Sequence, residues 1–392
     1  MSKIVSLKYL NDYNSKELEA SIKTALEQLC ITNTIKPKMK VLIKACLPTA
    51  VSADMAETTH PSVVRALSNV LKQLGAECIV ADSPYKKYSL ETLDKVYLNT
   101  GMLDAANQSS CVLNKDLSTF TIATPNGVMN KSLTLLNVIN EVDAIINVGK
   151  LKIDETLGYV GVVANLFGFV PGEMKTQALA RLNTQKDFHN YCIDIHDAIK
   201  DKVIFNVLDG IVALESGNTQ RMLNCLAISE NMFCLDAAVV DILDLGFKNT
   251  VLKQAKARSL FDYEKGYKLI GDKLEKFKVA DFNIHEFSDC SPIYKDKSEQ
   301  VKYFKKHQLR TKIKPNNCKG CSVCTKICPT GAITMKTDTR GELYASINYN
   351  KCIFCNKCHT ACPYKVVEIV LPSGHKQIMK EIEKQNEKNA QN

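Results

Sequence analysis

The sequence predicts an α/β fold, a largely parallel sheet with flanking helices, followed by a small C-terminal α+β domain. Three observations carry this. From residue 40 to about 290, short β-branched runs alternate with amphipathic helical patterns. Eight of the 16 cysteines crowd between residues 318 and 362. At 392 residues the chain also exceeds the length of one ordinary domain. Its 45% hydrophobic and 24% charged residues match a globular protein and exclude a disulfide mini-scaffold or a disordered chain.

The elements follow in order. Residues 16–29 form a helix that covers one side of the sheet. Residues 40–47 read as a buried strand. Residues 61–74 place Val63, Val64, Leu67, Val70, Leu71 and Leu74 at helical spacing, and residues 78–81 are the next strand, which completes a β-α-β unit. Residues 143–148, 203–208 and 224–228 are further buried strands, and 235–245 is a helix stopped by Gly246. The expected organisation is an α/β domain over 1–294, a basic linker over 295–309, a cysteine-rich domain over 310–371 and a charged tail over 372–392 that reads as a fraying helix.

Charge and apolar runs narrow the function classes. The net charge is +9, and residues 295–314 hold eight Lys or Arg against Asp296 and Glu299. One basic segment before a second domain reads as a solvated helix face or hinge. With no tryptophan and no aromatic RNA-binding signature beside it, no nucleic-acid partner is expected. The longest apolar stretch, 159–171, is broken by Asn165 and glycines and falls short of the roughly 20 residues of a spanning helix. The first residues carry no apolar segment with a small-residue cleavage site, so a cytoplasmic chain with no membrane part is expected.

The cysteines form two populations. Cys30, Cys46, Cys78, Cys111, Cys192, Cys225, Cys234 and Cys290 are scattered singly, and those in apolar, strand-like runs, such as Cys46 and Cys225, read as small buried hydrophobes. The other eight form two runs, Cys318, Cys321, Cys324, Cys328-Pro329 and Cys352, Cys355, Cys358, Cys362-Pro363. In a reducing compartment such density points to metal or redox chemistry. Both runs read C-x2-C-x2-C-x3-C-P, the spacing of two-cluster iron-sulfur proteins, in which the fourth cysteine of each run ligates the other cluster. Applied here, Cys318, Cys321, Cys324 and Cys362 hold one 4Fe-4S cluster, and Cys352, Cys355, Cys358 and Cys328 hold a second. Two intervening residues let the chain curl around a soft-metal core, and thiolate is the ligand such cores select. The following proline removes an N–H and turns the chain away. Gly320 and Ser322 let backbone amides approach sulfur, whereas Phe354 and Asn356 stand at those places in the second run, so the two potentials should differ. Zinc is the alternative for C-x2-C pairs, but it closes with four ligands, commonly two pairs across a longer loop. His359 lies between ligands and reads as a loop residue. Residues 310–371, including Thr330-Gly331-Ala332-Ile333, resemble a bacterial-type two-cluster ferredoxin module, which implies a ferredoxin-like fold and one-electron transfer.

In the large domain, chemistry gathers at the expected strand ends. Lys44 lies in the first strand, and Thr59-His60-Pro61 precedes a helix with Pro61 suited to its first position and His60 near the cap. Asp82 closes the next strand, and Lys150 and Lys152 share one face at the exit of another. Ligands of open α/β sheets bind beyond the carboxyl ends of strands, so Lys44, His60, Asp82, Lys150 and Lys152 are the candidate catalytic or binding residues for a small anionic substrate. No complete dinucleotide fingerprint, phosphate-binding P-loop or nucleophile elbow is present.

Ile43-Lys44, the run from Thr59 to Leu67, Asp82-Ser83-Pro84, Gly149-Lys150-Leu151-Lys152, Asn165-Leu166-Phe167-Gly168 and Leu235-Asp236-Ala237 resemble the domain-of-unknown-function 362 family, often joined to a ferredoxin module. The resemblance covers about 40–250 and implies a place in anaerobic redox metabolism. The chain departs from the pattern at Cys46, Asp154 and Ala164, where relatives commonly carry asparagine, histidine and lysine. The functional expectation is an iron-sulfur electron-transfer protein with a redox partner docked on the α/β domain. The alternatives are a ferredoxin-coupled oxidoreductase acting on a small anionic substrate and a reductive maturation factor for a client metalloprotein.

Overall fold

The computed structural model describes residues 3–85, 87–154, 157–179, 181–182, 184–245, 250–279, 281–284, 310–328, 331–349, 351–352 and 357–370. The expected basic linker, the tail, Gly246, Cys290 and Cys355 lie outside the described residues. The chain divides into two compact units, one of Met1–Lys175 with Thr184–Ser291 and one of Thr176–Asn183 with Pro292–Asn392.

The first unit begins with β1 (Ile4–Tyr9), α1 (Ser15–Gln28), β2 (Lys40–Lys44), α2 (Pro61–Gln73) and β3 (Glu77–Ala81). There follow α3 (Leu90–Asn99), α4 (Met102–Ser109), β4 (Val112–Leu113), β5 (Thr119–Ala123), β6 (Ser132–Leu136) and β7 (Ala144–Asp154). Next come β8 (Gly158–Val160), α5 (Val162–Asn165), α6 (Gly172–Leu179) and α7 (Gln185–Ile199). The series closes with β9 (Val203–Glu215), β10 (Thr219–Ser229), α8 (Met232–Ile242), α9 (Thr250–Ala257) and β11 (Lys268–Gly271).

A nine-stranded sheet runs β11-β1-β10-β9-β7-β2-β3-β4, with β8 also paired to β7. The pairs β11–β1, β9–β7, β7–β2, β2–β3 and β3–β4 are parallel, while β1–β10, β10–β9 and β7–β8 are antiparallel. The sheet is therefore mixed but mostly parallel, as the alternation of elements predicts. The expected helix near the N-terminus is present, but a strand the sequence reading missed, β1, precedes it. The three later strands are also longer than expected, because burial continues through Gly210 and Ile211 in β9 and through Lys150 and Lys152 in β7.

Local chemistry explains the ends. His60 caps α2 by accepting the Ser62 N–H at 3.2 Å, with Pro61 at the first helical position. Val63, Val64, Ala66, Leu67, Val70 and Leu71 form its buried face. Gly75 then takes a left-handed φ of +85° against Pro37, which only glycine adopts without strain. Thr184 and Asp187 form a reciprocal capping box that starts α7. Among the described residues no helix is long and apolar enough to cross a membrane.

The second unit contains β12 (Arg310–Ile313), α10 (Val323–Ile327), β13 (Ile333–Thr337), β14 (Leu343–Ile347), α11 (Lys357–Ala361) and β15 (Val367–Val370). β12 pairs with β15 and β13 with β14, both antiparallel. Its core joins Ile313, Ile333, Ala345 and Val367 to Cys324 and Cys358. So small a core needs help from bound metal or disulfides to be stable.

Candidate functional site

Between β2 and β7 the strand order reverses, because β3 and β4 extend the sheet on one side of β2 while β7 lies on the other. At such a switch point the loops leaving adjacent strands diverge and open a crevice. A crevice of about 400 Å3, its open mouth included, lies here and is lined by Cys46, Asp82, Tyr85, Lys152, Asp154 and Lys175. Leu157, Val160, Phe167 and Phe188 form apolar walls.

Behind it, Lys44 is fully buried, and its ammonium donates to Asp82 Oδ1 at 2.9 Å, Ala45 O at 2.7 Å and Asn165 Oδ1 at 3.2 Å. The ring of Phe169 lies 5.5 Å from it. Asp82 also accepts the backbone N–H groups of Leu47 and Ser83. Every polar atom of this pair is therefore matched, as a buried ion pair requires. The turn Leu166–Phe169 passes so close that a Cβ at Gly168 would overlap Asp82 Oδ1 and Lys44 Nζ. Lys152 donates to Glu57 O at 3.0 Å. Lys175, from α6, donates to Ser83 O, with the rings of Tyr85 and Phe167 at 5.2 and 5.8 Å. Burial lowers its pKa to about 8, against the pull of Asp82.

A second buried group surrounds Asp209 on β9. Its Oδ2 accepts from Lys150 Nζ at 3.0 Å and from the His60 backbone N–H at 2.9 Å, and its Oδ1 accepts from the Tyr13 hydroxyl at 2.8 Å. The Tyr13 hydroxyl in turn accepts from Lys150 at 3.0 Å, and the Tyr13 ring stacks on His60 with centroids 3.6 Å apart. Burial lowers His60 to about 4, and the facing Asp209 carboxylate opposes that shift. Desolvation likewise lowers Lys150 below the usual lysine range, again opposed by Asp209.

The five candidates thus do not converge on one point. Lys44, Asp82 and Lys152 gather at the crevice, whereas Lys150 and His60 join Asp209. Lys150 and Lys152, two apart, reach different partners, and the pairing of β7 with β9 shifts register between them. His60 acts as a cap through its side chain and as a donor to Asp209 through its backbone. Sequence reasoning missed Lys175, Tyr13 and Asp209. Asp209 left a signal, a lone carboxylate inside the apolar run of β9; Lys175 and Tyr13 left none. Cys46, read as an ordinary buried hydrophobe, is buried but lines the crevice, and burial raises its thiol pKa. Asp154 and Ala164 line it too, so all three departures from the resembled pattern meet in one place.

The Leu235-Asp236-Ala237 motif has a structural role. Asp236 accepts the Tyr159 hydroxyl at 2.9 Å and the N–H groups of Val162 and Val163 at 2.9 and 3.2 Å, which fixes the start of α5. Burial raises its pKa from 3.8 to about 6 in spite of these donors. A Cβ at Gly161 would overlap both Asp236 and Tyr159.

In the second unit, Cys318, Cys321, Cys324 and Cys362 line one cavity of about 330 Å3, its open mouth included, together with Ile313, Ala345 and Val367. The first three come from one run and the last from the other. Burial pushes the Cys324 thiol up to about 11, and the neighbouring Cys318, Cys358 and Cys321 add to the effect, so a cationic core is what would hold the Cys324 sulfur as a thiolate. Backbone N–H groups of Ala345 and Ala332 point at Cys318 Sγ (3.4 Å) and Cys328 Sγ (3.2 Å). Gly320 and Ser322 both take left-handed φ, near +64° and +59°. Cys358 is buried beside Thr311, and Cys328 and Cys362 pack against the same core. His359 lies on α11 instead of in a loop, its Nδ1 bonded to Val367 O. Among the described residues no three His, Cys, Asp or Glu side chains lie close enough to chelate a single ion. A cubane takes its sulfurs at separate iron corners, so thiols ringed around a cavity are the arrangement to compare with it. The donor set and the apolar lining fit such a group.

These features define an α/β protein with a crevice at its sheet switch point, joined to a cysteine-rich α+β unit. The chain belongs to the family described as domain of unknown function 362, whose model matches residues 41–241, and it carries a 4Fe-4S dicluster domain matched over residues 317–366. It is similar to a thylakoid-associated protein of Synechocystis sp., with 32% identity over 253 residues that cover 62% of this chain and 76% of that protein. Among solved structures, the lactate racemase apoprotein of Thermoanaerobacterium thermosaccharolyticum aligns with a TM-score of 0.37 and 15% identity, over 60% of this chain and 57% of that one.

Proposed function

We propose that this protein is a cytoplasmic iron-sulfur electron-transfer protein that passes single electrons through two 4Fe-4S clusters to or from a redox protein docked on the α/β unit. Cys318, Cys321, Cys324 and Cys362 hold one cluster; Cys352, Cys355, Cys358 and Cys328 hold the other. The observation that supports this reading is the meeting of thiols from both cysteine runs around one cavity. When bound, such clusters supply one-electron redox chemistry tuned by N–H groups directed at sulfur. The chain's own part is to place those N–H groups and to exclude water with Ile313, Ala345 and Val367.

Anaerobically purified protein should contain about eight irons and eight sulfides per chain. Cys318→Ala and Cys362→Ala, 44 residues apart, should each lose about half and leave the same remaining EPR signal. Cys328→Ala should leave the other. Zinc in place of iron, or Cys362→Ala matching Cys328→Ala in its residual spectrum, would refute the assignment.

The lysine-lined crevice favours a second reading, an oxidoreductase that delivers these electrons to a small anionic substrate. Reoxidation of the reduced protein by small anions would select it over electron transfer between proteins. Oxidation dependent on a client metalloprotein would instead mark a maturation factor.

A further inference from the structure

A buried ammonium group needs acceptors for its three N–H bonds and a compensating charge. Lys44 has three acceptors, one of them a carboxylate. Lys150 has Asp209 and the Tyr13 hydroxyl. Lys175 differs. It is 2% exposed, its only hydrogen bond goes to Ser83 O, and it makes no ion pair among the described residues. Lys152, 8% exposed, likewise ends on one carbonyl, Glu57 O. Both line the crevice. Asp82, the carboxylate whose charge acts on Lys175, is already committed to Lys44 and two backbone amides. Among the described residues in and behind the crevice, three ammonium groups (Lys44, Lys152, Lys175) stand against two carboxylates (Asp82, Asp154).

We propose that the crevice binds a small oxyanion, a short carboxylate or an inorganic oxyanion, held by the ammonium groups of Lys175 and Lys152. The inference names the ligand chemistry of the substrate-binding reading above and rests on that reading for any role in turnover. One negative charge balances the site, and the oxygens of such a group take the N–H bonds that Ser83 O and Glu57 O leave over. The apolar walls of Leu157, Val160, Phe167 and Phe188 raise the strength of the charged contacts by excluding water. The titratable groups that face Lys175 are Lys44 on β2, Cys46 after it, Asp82 and Tyr85 after β3 and Lys152 on β7. Since burial brings Lys175 to about 8, affinity should hold below that pH and weaken above it, levelling off at the loss expected for Lys175→Met.

Isothermal titration of the iron-loaded full chain with acetate, propionate and phosphate tests this. One saturable site is expected. Lys175→Met should weaken it about ten- to hundredfold, the loss of a charge-assisted hydrogen bond, and exposed Lys23→Met on α1 should leave it unchanged. If Lys175→Met does not fold, Lys152→Met should show the same weakening, and the wild type should melt higher with the anion present. Binding of carboxylates alone identifies an organic ligand, and binding of phosphate alone an inorganic one. Absence of saturable binding by all three, or wild-type affinity in the lysine variants, overturns the proposal. Saturable binding without anion-dependent reoxidation of the reduced protein leaves the binding site standing and removes the oxidoreductase reading.

Discussion

Gly168→Ala should destabilise the α/β unit strongly, against the usual sign of such a change. Where backbone geometry permits alanine, replacing glycine stabilises by about 0.4–1 kcal/mol through the unfolded state. Gly168 has no left-handed φ to forbid the change, so backbone strain is not the issue. Its added methyl would instead coincide with Asp82 Oδ1 and with Nζ and Cε of Lys44. Two escapes exist. The pair parts, leaving a fully buried ammonium on Ala45 O and Asn165 alone, or the turn retreats and breaks the 3.1 Å bond from the Ser83 N–H to Gly168 O. Separating a buried ion pair costs about 3–5 kcal/mol. At roughly 2–4 °C per kcal/mol for a unit of this size, the melting midpoint should fall by roughly 6–20 °C. Thermal melts followed by far-UV circular dichroism, with cluster absorbance recorded separately, read the shift. In the background Lys44→Ala with Asp82→Ala, which removes the obstructing atoms, Gly168→Ala should cost far less, and that non-additivity is the signature of the contact. A single variant that melts within about 2 °C of wild type would refute the reasoning.

Two other outcomes follow from buried groups, and a third from an exposed side chain. Because Asp236 binds its proton more tightly in the folded state, at about 6 against 3.8, its contribution to stability is complete below pH 3.8 and lost as pH rises through 6. Urea midpoints between pH 4 and 7 should therefore lose this component in Asp236→Asn; an unchanged pH slope would contradict it. Tyr13→Phe keeps the stacking on His60 but removes an acceptor from Lys150 and a donor to Asp209, so a loss of about 1–3 kcal/mol in urea melts is expected, and no loss would show the hydroxyl to be dispensable. Leu→Ala at exposed Leu98, 64% accessible, should change stability by less than about 0.5 kcal/mol, a control for the scale of the other effects.

How far the sequence could be read differs between the two units. The cysteine spacing carries nearly all the information about the second one, since a short loop must curl for its own sulfurs to reach one core. The β-α-β alternation likewise announced a mostly parallel sheet, and Pro61 with His60 announced the start of α2. β1 was missed because its six residues sit beside an amphipathic helix and pair with strands more than 200 positions away. Asp236 stood in a recognisable motif, yet its task of fixing α5 depends on Val162, 74 residues distant.

Local periodicity determines which face of an element turns inward, and it did so here for β2, α2 and β3. It does not determine which distant residue waits on the other side. Lys44 meets Asn165 across 121 positions, Tyr13 meets Asp209 across 196, and Lys175 meets Ser83 across 92. Only the assembled sheet, with its reversal of strand order between β2 and β7, decides that Lys152 and Lys175 share a crevice while Lys150 is bound up with Asp209. The reason is physical: a charge taken out of water is settled by whichever partners the fold brings within hydrogen-bonding distance, and sequence separation places no limit on who those partners are.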